Sequence, residues 1–221
     1  MATNYRKKYL KKKYYKKTNY DRVQDKMLKK LCQKELKSYN STLLLQPTLA
    51  TTYYFDHLSP ITQGDGRENR EGVMVNSTSL KVRFKIRRND WDPLDPDDQI
   101  IRIFIVKDKD ANNTAPPATG VQRIFEGADT DSVYPSSGLL NRQRYKMLYD
   151  KTFIFNVDST ENTADVIHIE KYLKLGSNIY YSQGETIPRK NSVYIGCLIE
   201  SAGQTNNPIV EGRFQLRFKE A

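Results

Sequence analysis

Histidine and cysteine are nearly missing from this chain of 221 residues, and their scarcity removes whole classes of chemistry at once. His57 and His168 are the two histidines, and neither stands in an H-x-E, H-x-H or H-E-x-x-H spacing. A zinc hydrolase or metal-dependent nuclease therefore has no ligand set, and a histidine-lined cupin pocket has no lining. Cys32 and Cys197 lie in distant segments, which suggests no disulfide framework and makes a reducing compartment the expectation. No run of about eighteen apolar residues exists to cross a membrane as a helix. The N-terminus lacks the apolar stretch of a secretory signal, so the sequons at Asn40, Asn76 and Asn112 are expected to stay unmodified. Phosphate-binding G-x-x-x-x-G-K-[ST] and nucleophile-elbow G-x-S-x-G strings are absent. Gly64-Asp65-Gly66 lacks the third glycine and following helix of a dinucleotide fingerprint and reads as a turn. Neither an enzyme nor a cofactor is expected.

Acidic residues are missing from one end. Met1 to Lys17 holds Arg6, Lys7, Lys8, Lys11, Lys12, Lys13, Lys16 and Lys17 and no carboxylate. Through residue 37 there are fourteen cations against three acids, a net +11, while the remaining residues sum to −1. The whole net charge of +10 thus resides in the first sixth of the chain. Tyrosines are interleaved with the lysines, and Tyr9, Tyr14 and Tyr15, flanked by Tyr5 and Tyr20, offer faces on which bases can stack while the cations meet phosphates. Such a segment reads as a tethered polyelectrolyte; lysine runs also serve as nuclear import signals.

From Asp21 to Lys37 the pattern turns helical. Val23, Met27 and Leu31 recur at i, i+4, i+8, with Leu28, Cys32 and Leu36 beside them and lysines opposite. The spacing predicts a short basic amphipathic helix inside an arm of residues 1–40, ahead of a β-rich body of residues 41–221. Eight strands are expected in that body: Thr51–Leu58, Ser79–Arg87, Gln99–Lys107, Arg144–Phe155, Asp165–Leu175, Ile179–Gln183, Ser192–Glu200 and Ile209–Lys219. With no helices between them they imply an all-β antiparallel sandwich or barrel. Gln99–Lys107 is apolar on nearly both faces and is expected to be central. Cys197 shares a side of its strand with Val193, Ile195 and Ile199 and is expected in the core. The loop from Asp108 to Asn141 is long enough to be functional or interface surface.

Two strands carry a basic face. Lys81, Arg83, Lys85 and Arg87 alternate with Leu80, Val82, Phe84 and Ile86, and Arg213, Gln215 and Arg217 alternate with Phe214, Leu216 and Phe218. Lys81, Arg83 and Lys85 join the arm as candidate nucleic-acid contacts. Asp92, Asp95, Asp97 and Asp98 form an acidic, proline-broken turn whose oxygens make a weak calcium candidate; their spacing matches no EF-hand.

Ile61, Gln63, Gly64, Arg70 and Gly72 in the loop before the first basic strand, RYKMLYDKTF from Arg144 to Phe153 and KNSVYIG from Lys190 to Gly196 carry a family resemblance. Together with the basic arm they make the chain similar to the capsid proteins of circovirus-like CRESS-DNA viruses, and also to the coat of satellite tobacco necrosis virus. The resemblance implies an eight-stranded antiparallel single jelly roll that self-assembles into an icosahedral shell of about sixty copies. It further implies arms turned onto a packaged single-stranded genome, DNA favoured over RNA, residence in the virion and assembly in the nucleus of a eukaryotic host, with a host receptor of unknown kind and no insertion into membranes. Lysine and tyrosine stand here where many such arms are arginine-rich. In an eight-stranded jelly roll the second and eighth strands belong to different sheets, so the two basic faces are expected to point apart. The competing reading is a monomeric β-domain that binds single-stranded nucleic acid and carries a basic tail.

Overall fold

The computed structural model describes residues 23–24, 35–45, 53–87, 99–112, 124–126, 139–140, 143–155, 166–199 and 207–220. The chain divides into two compact units, Met1–Lys34 and Glu35–Ala221. Val23 and Gln24 in the first unit are helical; the cationic and tyrosine positions of Met1–Lys17 and the acidic turn lie outside the described residues.

The second unit is built from the strands β1 (Leu36–Leu45), β2 (Tyr53–His57), β3 (Met74–Arg87), β4 (Gln99–Asp108), β5 (Phe125–Glu126), β6 (Leu139–Leu140), β7 (Tyr145–Phe155), β8 (Val166–Tyr181), β9 (Pro188–Lys190), β10 (Ser192–Ile199) and β11 (Ile209–Glu220). Of these, β3 and β11 alternate apolar and polar residues, while β4 and β10 are apolar on nearly both faces. One sheet runs β1-β11-β3-β8-β9 and the other β2-β10-β4-β7, and every pairing of these strands is antiparallel. Most neighbours in each sheet are remote in sequence, and apart from β4 and β7, which pair within one sheet, successive long strands cross from sheet to sheet. That order is a jelly roll.

Between the sheets lies a single apolar core. Val82, Phe84 and Ile86 of β3 and Phe214, Leu216 and Phe218 of β11 meet Ile101, Ile103 and Ile105 of β4 and Val193, Ile195, Cys197 and Ile199 of β10. Each such side chain withdrawn from water contributes about 1.5 to 3 kcal/mol toward folding. Cys197 is fully buried, and desolvation pushes its thiol up to about 12, as befits a packing residue. β4 is central and covered on both sides. Its Phe104 and Val106 join Tyr194 and Leu198 of β10 in a second apolar cluster on the opposite face, capped by Ala111 and Ile124. Part of the long loop after β4 is therefore core rather than display surface. Its ends are fastened by a fork from Arg144, Nε to Asp108 Oδ1 at 2.9 Å and Nη2 to Oδ2 at 2.8 Å, on a carboxylate that is 2 % exposed.

Three expectations change. Leu36 and Lys37 begin strand β1 instead of ending a helix, so residues 36–40 belong to the sheet and not to the arm. The expected strands Asp165–Leu175 and Ile179–Gln183 are one strand, β8, which continues past Gly176 at φ +55° opposite an irregularity in β3 between Ser77 and Ser79. The third concerns the basic faces: β3 and β11 are hydrogen-bonded neighbours in one sheet, with Arg83 opposite Arg213 and Lys81 opposite Gln215. Their cationic sides form one continuous surface.

Candidate nucleic-acid interface

The outward side of β4 and β10 is covered, whereas the outward face of the larger sheet is open. Period-two alternation puts Lys81, Arg83, Lys85 and Arg87 of β3 there, with Arg213, Gln215 and Arg217 of β11 and His168, Glu170, Tyr172 and Lys174 of β8. Register aligns them in rows across the strands: Glu170, Arg83, Arg213 and Thr42 in one, Tyr172, Lys81, Gln215 and Asn40 in the next. Seven cations face two carboxylates on this surface.

Those carboxylates are both shared. Glu170 lies 2.6 Å from Lys81 Nζ and 3.1 Å from Arg83 Nε; Glu211 lies 2.9 Å from Lys85 Nζ and 3.3 Å from Arg87 Nε. The hydrogen bond from Lys81, aided by Arg83, holds Glu170 below the usual carboxylate range, and Lys85 does the same to Glu211. Two shallow grooves result. One, of about 540 Å³, lies over β8, β3 and β11 and has both glutamates on its rim. The other, of about 530 Å³, lies over β1, β11 and β3, with Lys81, Arg83, Arg213 and Arg217 on its walls and no acidic residue.

Of the sequence-derived candidates, Lys81, Arg83 and Lys85 come together as expected. Arg213, Gln215 and Arg217 were legible as one face of a strand, but their place beside β3 was not, and nothing local pointed Asn40 and Thr42 to this surface. Among the described residues no group of three or more His, Cys, Asp or Glu side chains could hold a metal ion. Nor, among the described residues, is any helix long and apolar enough to cross a membrane.

The two histidines differ sharply. His168 is exposed on the basic face opposite Lys85. His57 packs its ring 4.4 Å from that of Tyr194, and neither ring nitrogen has a hydrogen-bond partner. Burial alone lowers its pKa to about 4. An unfolded chain protonates near 6.5, so between pH 6.5 and 4 the unfolded state binds the extra proton. Stability is full above pH 6.5 and falls by about 2 to 3 kcal/mol as pH drops through 4. The adjacent Asp56 carboxyl, raised by its own burial, acts in the opposite direction at the acid end. Denaturant melts of wild type and His57→Phe across this range should show the acid limb flattened in the variant.

The resemblance residues of the β2–β3 loop converge on one side chain. Arg70 is fully buried in the β2–β3 loop, its Nε donating to Ile61 O at 3.2 Å, Nη1 to Gly72 O, and Nη2 to Ser182 O at 3.2 Å and Glu185 O. Its guanidinium lies 4.3 Å over the Tyr181 ring. Gly64 N donates to Arg70 O at 2.9 Å, and Gln63 Oε1 accepts from Gly184 N at 3.0 Å. This string is thus a structural clamp between the β2–β3 and β8–β9 loops.

No protein-family model and no curated protein matches the chain. Solved structures similar to it include that of Desmodium yellow mottle tymovirus (12% identity, TM-score 0.34, 98% of this chain and 91% of the other covered). Broad bean stain virus gives 13% identity, TM-score 0.31 and coverage of 83% and 85%. The naturally occurring empty top-component particles of cowpea mosaic virus give 11%, 0.29, 86% and 85%.

Proposed function

We propose that the chain is the coat protein of a small virus, closing on about sixty copies of itself and packaging a circular single-stranded DNA genome through its lysine- and tyrosine-rich arm. The observation that supports this reading most directly is the division of charge: net +11 through residue 37 and −1 for everything after it, the latter coinciding closely with the jelly-roll unit. A self-associating β-framework multiplies the arm. Sixty arms supply about 660 positive charges, the right order to offset a large share of roughly one to two thousand phosphates, with small ions covering the rest. Contacts of this kind carry no base information, so packaging is insensitive to sequence. The lysine runs double as a nuclear import signal in a eukaryotic host.

Negative-stain microscopy and nuclease protection of the purified full chain test the proposal. Closed shells holding single-stranded DNA are expected. Removing residues 1–17 leaves shells but abolishes salt-sensitive uptake; wild-type encapsidation by the truncated protein would contradict the role of the arm. A particle that stays a monomer under every assembly condition would leave the monomeric nucleic-acid-binding reading instead.

A further inference from the structure

We infer that the groove over β1, β11 and β3 is the phosphate-contacting track of the body, and that Arg213 and Arg217, rather than Lys85 and Arg87, carry it. The ligand class is the backbone of a single-stranded polynucleotide, and in this the inference rests on the function proposed above.

The two halves of the basic face differ in what their cations already hold. Lys85 and Arg87 converge on Glu211. A polyanion arriving there must displace that carboxylate or share its partners. On the other half Arg213 has no partner among the described residues, and Arg217 donates through Nε to the neutral Gln215 at 3.2 Å. Arg213 and Arg217 are four residues apart on one face of β11, about 13 Å along the strand. Both open onto the groove that has no carboxylate among its described lining residues, and Arg213 also borders the other groove beside Glu211. Lys81 and Arg83 share Glu170 but add to the same side. The charge of Arg213 and Arg217 is therefore open to a ligand with no ion pair to break.

A sulfated polysaccharide would also meet this charge, but one row of the surface favours a polynucleotide. Tyr172 is 58% exposed, the most open of the large apolar or aromatic side chains among the described residues. It stands in register with Lys81, Gln215 and, beyond it, Asn40. A free aromatic face beside cations and amides is the arrangement on which bases stack while phosphates are neutralised.

The test measures binding of a labelled oligothymidylate to the full chain over a series of salt concentrations. It compares wild type, Arg213→Gln/Arg217→Gln and Lys85→Gln/Arg87→Gln, with circular-dichroism melts to confirm that these exposed changes leave the fold intact. The first pair should make the slope of log K against log salt shallower by about 1.4, two phosphate contacts at about 0.7 each for a single strand. The second pair, whose charge Glu211 already offsets in part, should change it by less than half as much. Equal losses from both pairs, or no loss from the first, overturn the inference while leaving the arm-based function standing. Retained oligothymidylate binding with lost heparin-oligosaccharide binding in the first pair also overturns it, in favour of a glycan. A wild-type chain that binds no oligothymidylate at any salt overturns both.

Discussion

Arg70→Met should unfold at a temperature roughly 8 to 16 °C below wild type, reflecting a loss of about 4 kcal/mol in a domain of this size. The guanidinium is fully buried and forms no ion pair among the described residues; four main-chain carbonyls and the Tyr181 ring surround the charge, and Glu220 acts on it without direct contact. Desolvation lowers the Arg70 pKa from its ordinary value without bringing it near neutrality. Each hydrogen bond to a charged donor is worth about 1.5 to 3 kcal/mol, and carbonyls left without a partner add their own penalty, though the four do not sum independently. Water reaching the outer carbonyls recovers part of the loss. Arg70→Lys keeps the charge but offers a point donor in place of a planar fork, so it should rescue less than half of the difference. Limited proteolysis provides a local readout, since the segment from Ile61 to Gly72 should be cut first in the variant. A melt within a degree or two of wild type would show that the clamp is ornamental.

The same clamp shows what a single sequence discloses. Ile61, Gln63, Gly64, Arg70 and Gly72 stood out as a string, but nothing local said that the arginine would turn inward to reach Ser182 and Glu185, more than a hundred residues away. Alternation in β3 and β11 was legible because each has a wholly apolar side and a charged one. β1 was not. Its inward side holds Lys37, Tyr39 and Ser41 before Leu43 and Leu45, and Lys37 is buried through ion pairs with Glu71 at 2.7 Å and Glu220 at 3.4 Å. Read without partners, that lysine belongs to a helix surface. This one omission misplaced the candidate site. With β1 missing, the first basic strand counts as second in the jelly roll and falls in the sheet opposite the last strand. Restored to third, it lies against the last strand, and the two basic faces fuse. Gly176 interrupts the alternation of β8 so that one strand reads as two, which leaves the count at eight even with β1 unread.

Gly212 ties the stability of this surface to its charge. It lies on β11 between Phe84 of β3 and Leu43 of β1. A Cβ built there would stand 2.1 Å from Arg83 O and 2.6 Å from Phe84 Cα, both main-chain atoms in the middle of a paired strand. No rotamer change relieves such a contact. β11 or β3 must move, and with it the pairing of Glu211 to Lys85 and of Arg213 to Arg83. Gly212→Ala should therefore cost at least about 3 kcal/mol, at the upper end of overpacking penalties, and lower the melting temperature by roughly 6 to 12 °C. Gly196→Ala is the matched comparison. Its Cβ would come within 2.6 Å of Phe104 Cζ and 2.8 Å of Phe55 Cε1, ring atoms that can tilt, so its cost should be smaller, about 1 to 3 kcal/mol. The two should also separate by function. Gly196 lies in the covered sheet and should leave oligonucleotide binding unchanged at temperatures where the variant is folded. Gly212→Ala should weaken it although every arginine is still present, because the spacing of Arg83 and Arg213 is set by the close approach of the two backbones. Equal melting temperatures for the two alanine variants, or full binding by folded Gly212→Ala, would mean that β11 can shift without disturbing the groove.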